Sequence, residues 1–326
     1  MFINKSEFRY WSMTAILFAF MATKCLAEDF PTKPITLVVS YTIGGQSDTL
    51  ARLLAKQMED NLKVPIVIDN KGGAGGLVAA AFVGQSKPDG YTLVYMAGSG
   101  YTISPSVLPK MKIDMHKILT PIAYTTKQKL VLVVNPKLPI KTVSELVLYA
   151  KANPEKMNFG SPGAGTLPHL MVEQLKNKLG FNAMHVPYKG GADMQRALMA
   201  GDIQLIIDSV ATTFPNIVAG RMRPIAIADQ KRVSVLPEVP TFPEQGVDMT
   251  TNAWGAILAP IGTPTAIVNR IHSAVVVALQ DPVLSNKLAT MSVEPYAGTP
   301  QELKAGAEKE IVIWGELVKE LGLVEK

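Results

Sequence analysis

The chain has 326 residues, of which 48% are hydrophobic and 18% are charged, with a formal net charge of +5. This composition is globular and long enough for two domains with their own cores, and it excludes collagen, coiled coils and long disordered segments. The basic side chains are scattered without interleaved aromatic residues, and their densest pairs are Lys127 with Lys129 and Lys231 with Arg232. The sequence therefore predicts no nucleic-acid partner.

The N-terminus predicts an export signal over residues 1–27. Lys5 and Arg9 precede an apolar stretch that ends in a small-residue cleavage site at Ala27. An uncleaved anchor is the alternative, and the lysine before Cys25 disfavours lipidation of that cysteine. Cleavage removes three of the 32 basic residues, one of the 27 acidic residues and the only cysteine, which leaves a net charge of +3. We therefore expect the mature protein to be exported.

From Ile35 onward, short β-branched runs alternate with amphipathic helical stretches, as in an α/β protein with mainly parallel sheets. The first module predicts strands at 35–39, 65–68 and 92–95. A helix between the first two strands has an apolar face formed by Leu50, Leu53, Leu54 and Met58, with Asp48 as its expected cap, and a short helix begins at Leu77.

The second module repeats this alternation. It predicts strands at 130–134, 183–186 and 203–207, and a further short strand that ends at Phe159. Helices are predicted at 142–152, 167–179 and 192–200. The tail adds a strand at 255–259 and two helices, each starting at a Gly-Thr-Pro triplet. Thr263 and Thr299 are the expected N-caps of these helices, with proline at the first helical position.

Glycine-rich loops follow the predicted strands in both modules, at 41–48, 70–76, 97–101, 161–166 and 188–191. In open parallel sheets, ligands bind outside the carboxyl ends of the strands. Glycine lets the backbone approach a ligand there, and helix N-termini offer free N–H donors to an anion. One such loop is usually a tight turn, but several at equivalent strand ends favour a ligand cleft.

Motifs of nucleotide-binding proteins and hydrolases do not occur. The sequence has no G-x-x-x-x-G-K-[ST], G-x-G-x-x-G, G-x-S-x-G or H-E-x-x-H, so we predict no cofactor, no metal and no catalytic residue. His169 and Glu173 are four residues apart, a spacing that favours a surface pair over two metal ligands. Two roles are open for Asp208, since its side chain could point into the cleft or cap the following helix.

The ordered motifs resemble those of the Bug family, the periplasmic solute-binding components of tripartite tricarboxylate transporters. The matching segments run in family order from Phe30 onward. They are Phe30–Ile35, Gly44-Gly45 with Asp48, Asn70 with Gly73–Gly76, Pro88–Leu93, Gly163–Thr166 with His169-Leu170, His185–Gly191, Asp208-Ser209, Val239–Thr241, and Leu258–Pro260 with Gly262–Pro264.

This resemblance implies a two-lobed periplasmic-binding-protein fold, with a mainly parallel sheet in each lobe and a hinge of crossing strands. The first lobe would comprise residues 28–127 and 252–326, and the second lobe residues 128–251. The resemblance also implies that backbone N–H groups of the first two loops hold a ligand carboxylate, with Asp208 near the far end of the ligand. The expected ligand-binding residues are Tyr41, Thr42, Ile43, Gly44, Gly45, Asp48, Asn70, Gly73, Ala74, Gly75, Ser99, Ser161, Gly163, Gly165, Thr166, His169, Tyr188 and Asp208.

Two loops depart from the family pattern. Ser40 and Ile43 stand where the first loop usually has prolines, and Lys71 and Gly72 replace the usual Arg-Pro of the second loop. Fewer prolines predict more mobile loops in the free protein and a higher ordering cost on binding. Ile43 is expected to narrow the pocket.

The favoured function is capture of a small mono- or dicarboxylate by a monomeric binder that passes it to membrane transporter subunits. One alternative is an exported α/β enzyme that uses Asp208 or His169 as acid or base. The other is an orphan receptor subunit that presents its ligand-bound form to a sensor. The enzyme is disfavoured because no nucleophile–base pair, metal cluster or cofactor fingerprint occurs in the sequence.

Overall fold

The computed structural model describes residues 30–251 and 253–325, so the predicted export signal lies outside the described residues. The first part of the described chain alternates strands with helices, as expected. Its strands are β1 (Ile35–Val39), β2 (Ile66–Asn70), β3 (Thr92–Ala97) and β4 (Leu119–Gln128). Its helices are α1 (Gln46–Leu62), α2 (Leu77–Gly84), α3 (Gly98–Thr102), α4 (Ser104–Val107) and α5 (Met115–Ile118).

The remaining elements continue the alternation and add unpredicted strands. The strands are β5 (Leu130–Val134), β6 (Asn158–Ser161), β7 (Met184–Pro187), β8 (Leu205–Ser209), β9 (Arg223–Ile227), β10 (Ala253–Pro260) and β11 (Val293–Pro295). The helices are α6 (Val143–Ala152), α7 (Leu167–Leu179), α8 (Gly191–Ala200), α9 (Val210–Val218), α10 (Thr265–Gln280), α11 (Pro282–Thr290) and α12 (Pro300–Glu320). The sequence did not predict β4, β9 or β11, and Phe159 lies inside β6 rather than at its end.

Two separate sheets organise these elements. The first has the order β11-β4-β10-β3-β1-β2 and the second β7-β6-β8-β5-β9. In the first sheet β1 to β4 run in one direction and β10 and β11 in the other, and in the second sheet β6 to β9 run in one direction and β5 in the other. Strands of one direction therefore predominate in each sheet, as expected, but both sheets are mixed because β10 and β5, which receive the chain as it passes between the sheets, pair antiparallel to their neighbours.

The chain passes between the sheets twice. It leaves β4 at Gln128 and enters β5 at Leu130, and it returns after β9 to enter β10 at Ala253. Helices α1 and α10 pack against the first sheet, and α6 and α7 against the second. Val318 of α12 packs into the core of the second sheet, although the strands before α12 belong to the first. Within residues 30–251 and 253–325, no helix combines the length and apolar character needed to cross a membrane.

The predicted helix caps are only partly confirmed. Thr299 forms a capping box with Glu302, since each side chain accepts a hydrogen bond from the backbone N–H of the other residue. Thr263 does not cap α10, because its hydroxyl donates to the Pro260 carbonyl in the preceding turn. Asp48 does not cap α1 either, because the helix starts earlier and Asp48 falls in its first turn.

Candidate functional site

A cavity of about 70 Å³ lies between the two sheets. Its wall is built where β1, β3, β4, β6 and β8 end, which is where ligands bind in α/β proteins. The described residues that line it come from both sheets, from the passages between them and from α12. They are Tyr41, Gly45, Gln46, Ser47, Ala97, Gly98, Ser99, Thr102, Ile103, Gln128, Leu130, Pro162, Thr166, Leu167, Pro168, Gly191, Asp208, Ala253, Trp254, Glu310 and Trp314.

Three helices longer than two turns begin at this cavity, and the short helix α3 begins there as well, at Gly98. Gly45 is the N-cap of α1, Thr166 is the N-cap of α7, and Gly191 is the first residue of α8. Neither N-cap uses a side chain to satisfy the first backbone N–H groups, so these donors stay available. Together with the helix dipoles they make this end of the cavity attractive to an anion. Among the described lining residues, none is lysine, arginine or histidine.

Asp208 faces the cavity from the end of β8. Its Oδ2 accepts a hydrogen bond from Gln195 Nε2 at 2.8 Å, and its Oδ1 accepts one from the Ser209 N–H at 2.8 Å. Burial raises the pKa of Asp208 to about 6, against the lowering effect of these hydrogen bonds. Ser209 is the N-cap of α9, since its hydroxyl accepts from the Ala211 N–H at 3.1 Å. Asp208 therefore does not cap α9, and its carboxyl group lines the cavity.

The cavity wall beside Gly98 and Thr102 carries two tryptophans and an acid that the sequence did not single out. Trp254 Nε1 donates to Glu310 Oε1 at 2.8 Å, and Thr102 Oγ1 lies 3.2 Å from Glu310 Oε2. Burial raises the pKa of Glu310. The indole of Trp254 lies over Gly98, where even a Cβ would come within 2.7 Å of three ring atoms. Trp314 lines the same side from α12, so α12 completes a site that begins in the glycine loops.

The structure brings only part of the predicted binding set to the cavity. Tyr41, Gly45, Ser99, Thr166 and Asp208 line it. The other predicted residues do not line it. They are Thr42, Ile43, Gly44, Asp48, Asn70, Gly73, Ala74, Gly75, Ser161, Gly163, Gly165, His169 and Tyr188. Ile43 is 69% exposed, so it does not narrow this cavity as expected.

Asp48 and Asn70 join the first two loops instead of lining the cavity. Asn70 Nδ2 donates to the Tyr41 carbonyl at 3.0 Å and to Asp48 Oδ1 at 2.9 Å. The other carboxylate oxygen of Asp48 accepts from the Gly44 N–H at 3.0 Å. Burial opposes ionisation, but hydrogen bonds from Arg52, Gly44 and Asn70 hold the pKa of Asp48 below its ordinary value. These two side chains therefore fix the backbone that presents Tyr41 and Gly45.

Loops from the two sheets touch beside the cavity. The hydroxyl of Ser104 lies 3.0 Å from the carbonyl oxygens of both Gly75 and Gly165. Gly75 and Gly165 have φ values of +61° and +73°, a region that favours glycine. A Cβ on Gly75 would also lie 2.7 Å from the Ala164 carbonyl oxygen. These glycines thus permit a direct backbone contact between the loops that follow β2 and β6.

His169 lies beside the loop that follows β6, where its Nδ1 accepts from the Gly165 N–H at 3.3 Å, and it stacks on His185 with ring centroids 3.9 Å apart. Burial lowers the pKa of His169 to about 3 and that of His185 to about 4. His169 Nε2 is 4.0 Å from Glu173, but both side chains are largely buried, so the expected surface pair was wrong. Ser161 hydrogen-bonds His185 Nε2 at 2.7 Å. Among residues 30–251 and 253–325, no group of three or more His, Cys, Asp and Glu residues could hold a metal ion.

Comparisons with known proteins agree with this architecture. The profile of the tripartite tricarboxylate transporter family receptor matches residues 50–323. A UPF0065 protein of Cupriavidus necator is 34% identical over 311 residues, covering 95% of this chain and 94% of that protein. The structure of the periplasmic binding protein BugD is 29% identical, with a TM-score of 0.87 over 91% of this chain and 100% of BugD.

Two similar structures carry carboxylates. A protein of Rhodopseudomonas palustris with adipate is 34% identical, with a TM-score of 0.87 over 90% of this chain and 99% of that protein. MatC of Rhodopseudomonas palustris with bound malate is 30% identical, with a TM-score of 0.85 over 89% of this chain and 100% of MatC. The chain belongs to the tripartite tricarboxylate transporter receptor family, a family of Bug-type periplasmic solute-binding proteins rather than enzymes.

Proposed function

We propose that this protein captures a small organic carboxylate in the cavity between its sheets and delivers it to a tripartite tricarboxylate-type membrane transporter. The observation that carries this proposal is the convergence of the N-termini of α1, α7 and α8 on one cavity. Backbone N–H donors at helix ends hold a carboxylate without a basic side chain. The described lining residues include no basic side chain, so the backbone N–H groups and neutral side-chain donors such as Ser99 and Gln46 would hold the anion.

The carboxylate is proposed to sit near Gly45 and Thr166, at the N-termini of α1 and α7. The N-terminus of α8 is less available, because the Asp208 carboxylate already lies beside Gly191. Tyr41 and Ser99 complete the wall, and the remaining residues of the expected binding set shape the loops. Adipate and malate in two similar structures support a carboxylate as the ligand class.

We further propose that the two sheets are the two lobes of a closing binding protein. The lobes would divide near residues 127 and 128 and again near residues 251 and 252, where the chain passes between the sheets. A hinge at these passages would let the loops around Gly75 and Gly165 separate and admit the ligand. Cleavage after Ala27 would release the mature chain into the periplasm as a monomer.

Intrinsic fluorescence tests this proposal directly. Of the three tryptophans, Trp11 lies in the predicted signal, and Trp254 and Trp314 both line the cavity. Tryptophan emission of the mature chain, excited selectively over tyrosine, therefore reports on this site. Titration with mono-, di- and tricarboxylates should change the emission, whereas phosphate, sugars and nucleotides should not. A ligand at about 100 times its dissociation constant should also add about 2.7 kcal/mol to the free energy of unfolding.

Gly45→Val is the blocking variant for this test. Gly45 has a φ of −79°, and a Cβ there would be 3.6 Å from its nearest neighbours, so valine keeps the backbone and fills the cavity. Ile43→Ala in the same loop is the control, because Ile43 is exposed and does not line the cavity. Binding lost in the first variant and kept in the second is the expected result. Equal affinities in both would contradict the placement of the site.

A further inference from the structure

A chain of hydrogen bonds connects Asp208 to a groove outside the cavity. Asn216 Nδ2 donates to Gln195 Oε1 at 3.0 Å, and Gln195 Nε2 donates to Asp208 Oδ2 at 2.8 Å. Asp208 lines the cavity, but neither amide belongs to the described lining of that cavity. Both amides lie instead on a separate groove of about 350 Å³, whose walls include residues of α1, α8 and α9. They therefore reach the ligand site only through Asp208.

The carboxylate sets the direction of this chain. An ionised carboxylate only accepts hydrogen bonds, so Gln195 turns its amide nitrogen toward Asp208 and its amide oxygen toward Asn216. Asn216 satisfies that oxygen with an N–H. Burial disfavours the charged form of a carboxyl, and donated hydrogen bonds favour it. The two amides thus act together to keep Asp208 ionised and to fix the orientation of its oxygens.

The packing of α8 and α9 holds the two amides in place. Met194 and Leu198 of α8 and Val210 of α9 belong to one buried apolar cluster. Gly191 lies one turn before Gln195 on α8, and a Cβ at Gly191 would come to 3.4 Å from Asp208 Oδ2. Gln195 itself is only 7% exposed, so its side chain has little room to reorient. A carboxylate held in this way loses little freedom when a ligand contacts it.

Charged groups do not take over this task. Within the described part of the chain, Asp208 forms no ion pair with a lysine, arginine or histidine. Asp193 and Arg196 of α8 pair with each other, and β5 and α9 contain no charged residue. Glu310 is the other charged side chain among the described lining residues of the cavity. The neutral hydrogen-bond donors around Asp208 therefore control its charge.

We infer that Gln195 and Asn216 are positioning residues of the ligand site, which act through Asp208 and fix the orientation and the charge of its carboxylate. This role rests on the proposed function, because it gives control of the proposed ligand cavity to residues that do not line it. The sequence singled out neither amide, since they meet only through the packing of α8 against α9.

Titration of Asp208 without ligand tests the hydrogen-bond chain. NMR of its side-chain carboxyl in the mature chain, assigned with Asp208→Ala, gives the pKa that burial raises to about 6. Gln195→Leu removes the donor and should move this midpoint upward by about one pH unit or more. Asn216→Asp replaces the outer donor by an acceptor of the same size, which should turn the Gln195 amide round and move the midpoint in the same direction. Met199→Leu is the control, because Met199 lines the same groove but has no amide.

A double variant separates this chain from a direct effect of the new charge. If Asn216→Asp acts through Gln195, adding it to Gln195→Leu should leave the midpoint of Gln195→Leu unchanged. If the two upward movements add, Asn216 does not act through Gln195, and its part in the inference is overturned.

Ligand affinity tests the positioning role itself. Adipate and malate are the probes, because two similar structures hold them. Calorimetry at pH 7 should show that Gln195→Leu weakens binding by about threefold to tenfold, through loss of the fixed carboxylate. In the Asp208→Ala background the same substitution should change the affinity by less than about twofold, because Gln195 has nothing left to position.

The results distinguish two kinds of failure. If neither probe nor any other carboxylate binds, the proposed function fails, and the NMR titration still decides whether the two amides hold Asp208. An unchanged midpoint in Gln195→Leu overturns the inference, and so does a loss of affinity that is equal with and without Asp208. Dispersed NMR spectra verify that each variant is folded, and Asn216→Asp at a half-buried residue provides an independent variant.

Discussion

Gly98→Ala tests whether the tryptophan wall of the cavity is as tightly packed as the structure shows. A Cβ at Gly98 would lie within 2.7 Å of three atoms of the Trp254 ring, whereas ordinary contact begins at 3.4 Å. The indole cannot turn aside freely, because Tyr124 packs against it and Glu310 accepts its N–H. The ring or helix α3 must therefore shift, at the cost of overpacking, which is about 1–3 kcal/mol.

Urea unfolding of the mature chain measures this cost. The variant should lose about 1–3 kcal/mol of unfolding free energy, and its tryptophan emission should shift because Trp254 has moved. Binding of a carboxylate should weaken as well, since the displaced indole changes the cavity.

Gly315→Ala provides the matched control within α12. A Cβ there would meet only Ser106 Oγ at 3.7 Å, so nothing must move. Removing a glycine from a helix interior should stabilise the protein by about 0.5–1 kcal/mol. Equal stabilities of the two variants, or a Gly98→Ala protein as stable as the parent, would refute the packing argument.

Three further predictions concern stability. In the folded protein the pKa values of His169 and His185 are lowered to about 3 and 4, whereas in the unfolded chain both histidines have the ordinary pKa of 6.5. As the pH falls below 6.5, the unfolded chain therefore takes up these protons before the folded protein does. Their contribution to stability is complete above pH 6.5 and is lost as the pH falls toward 4, so urea midpoints should drop over this window and His185→Gln should flatten the decline. Asp208 changes the stability with pH in the opposite direction. Its pKa is raised from 3.8 to about 6, so as the pH falls the folded protein takes up this proton before the unfolded chain does. Asp208→Asn should therefore steepen the acid loss between about pH 6 and 4, and an unchanged slope would contradict the burial of this carboxyl. Thr299→Ala should cost about 0.5–2 kcal/mol through loss of the capping box, and Thr299→Ser should restore most of it in thermal or urea unfolding.

Much of the local structure could be predicted because it depends on neighbouring residues. The β-branched runs at Ile35–Val39 and Leu130–Val134 and the helix at Leu167–Leu179 have the predicted bounds. Strand β4 was missed because Pro121 and the polar residues Thr125 to Gln128 hide its pattern. Its strand conformation comes from pairing with β10, a segment more than a hundred residues away.

The candidate site, too, was predictable only where it depends on neighbouring residues. Glycine loops and helix N-termini are local features, and the sequence located Gly45, Ser99 and Thr166 near a cavity. Asp48 and Asn70 were expected at the ligand, but they bond to each other and to the loop backbone, a choice that depends on the packing of two strands.

The sequence by itself determined the alternation of strands and helices, the glycine loops and the family. The tertiary structure alone decided the direction of the crossing strands, the burial of His169 and the acidic, aromatic side of the cavity. Trp254, Glu310 and Trp314 come from β10 and α12, far along the chain from the loops they face. Side-chain periodicity and turn propensity act over a few residues, whereas the return of the C-terminal segment is set by the closure of the whole fold.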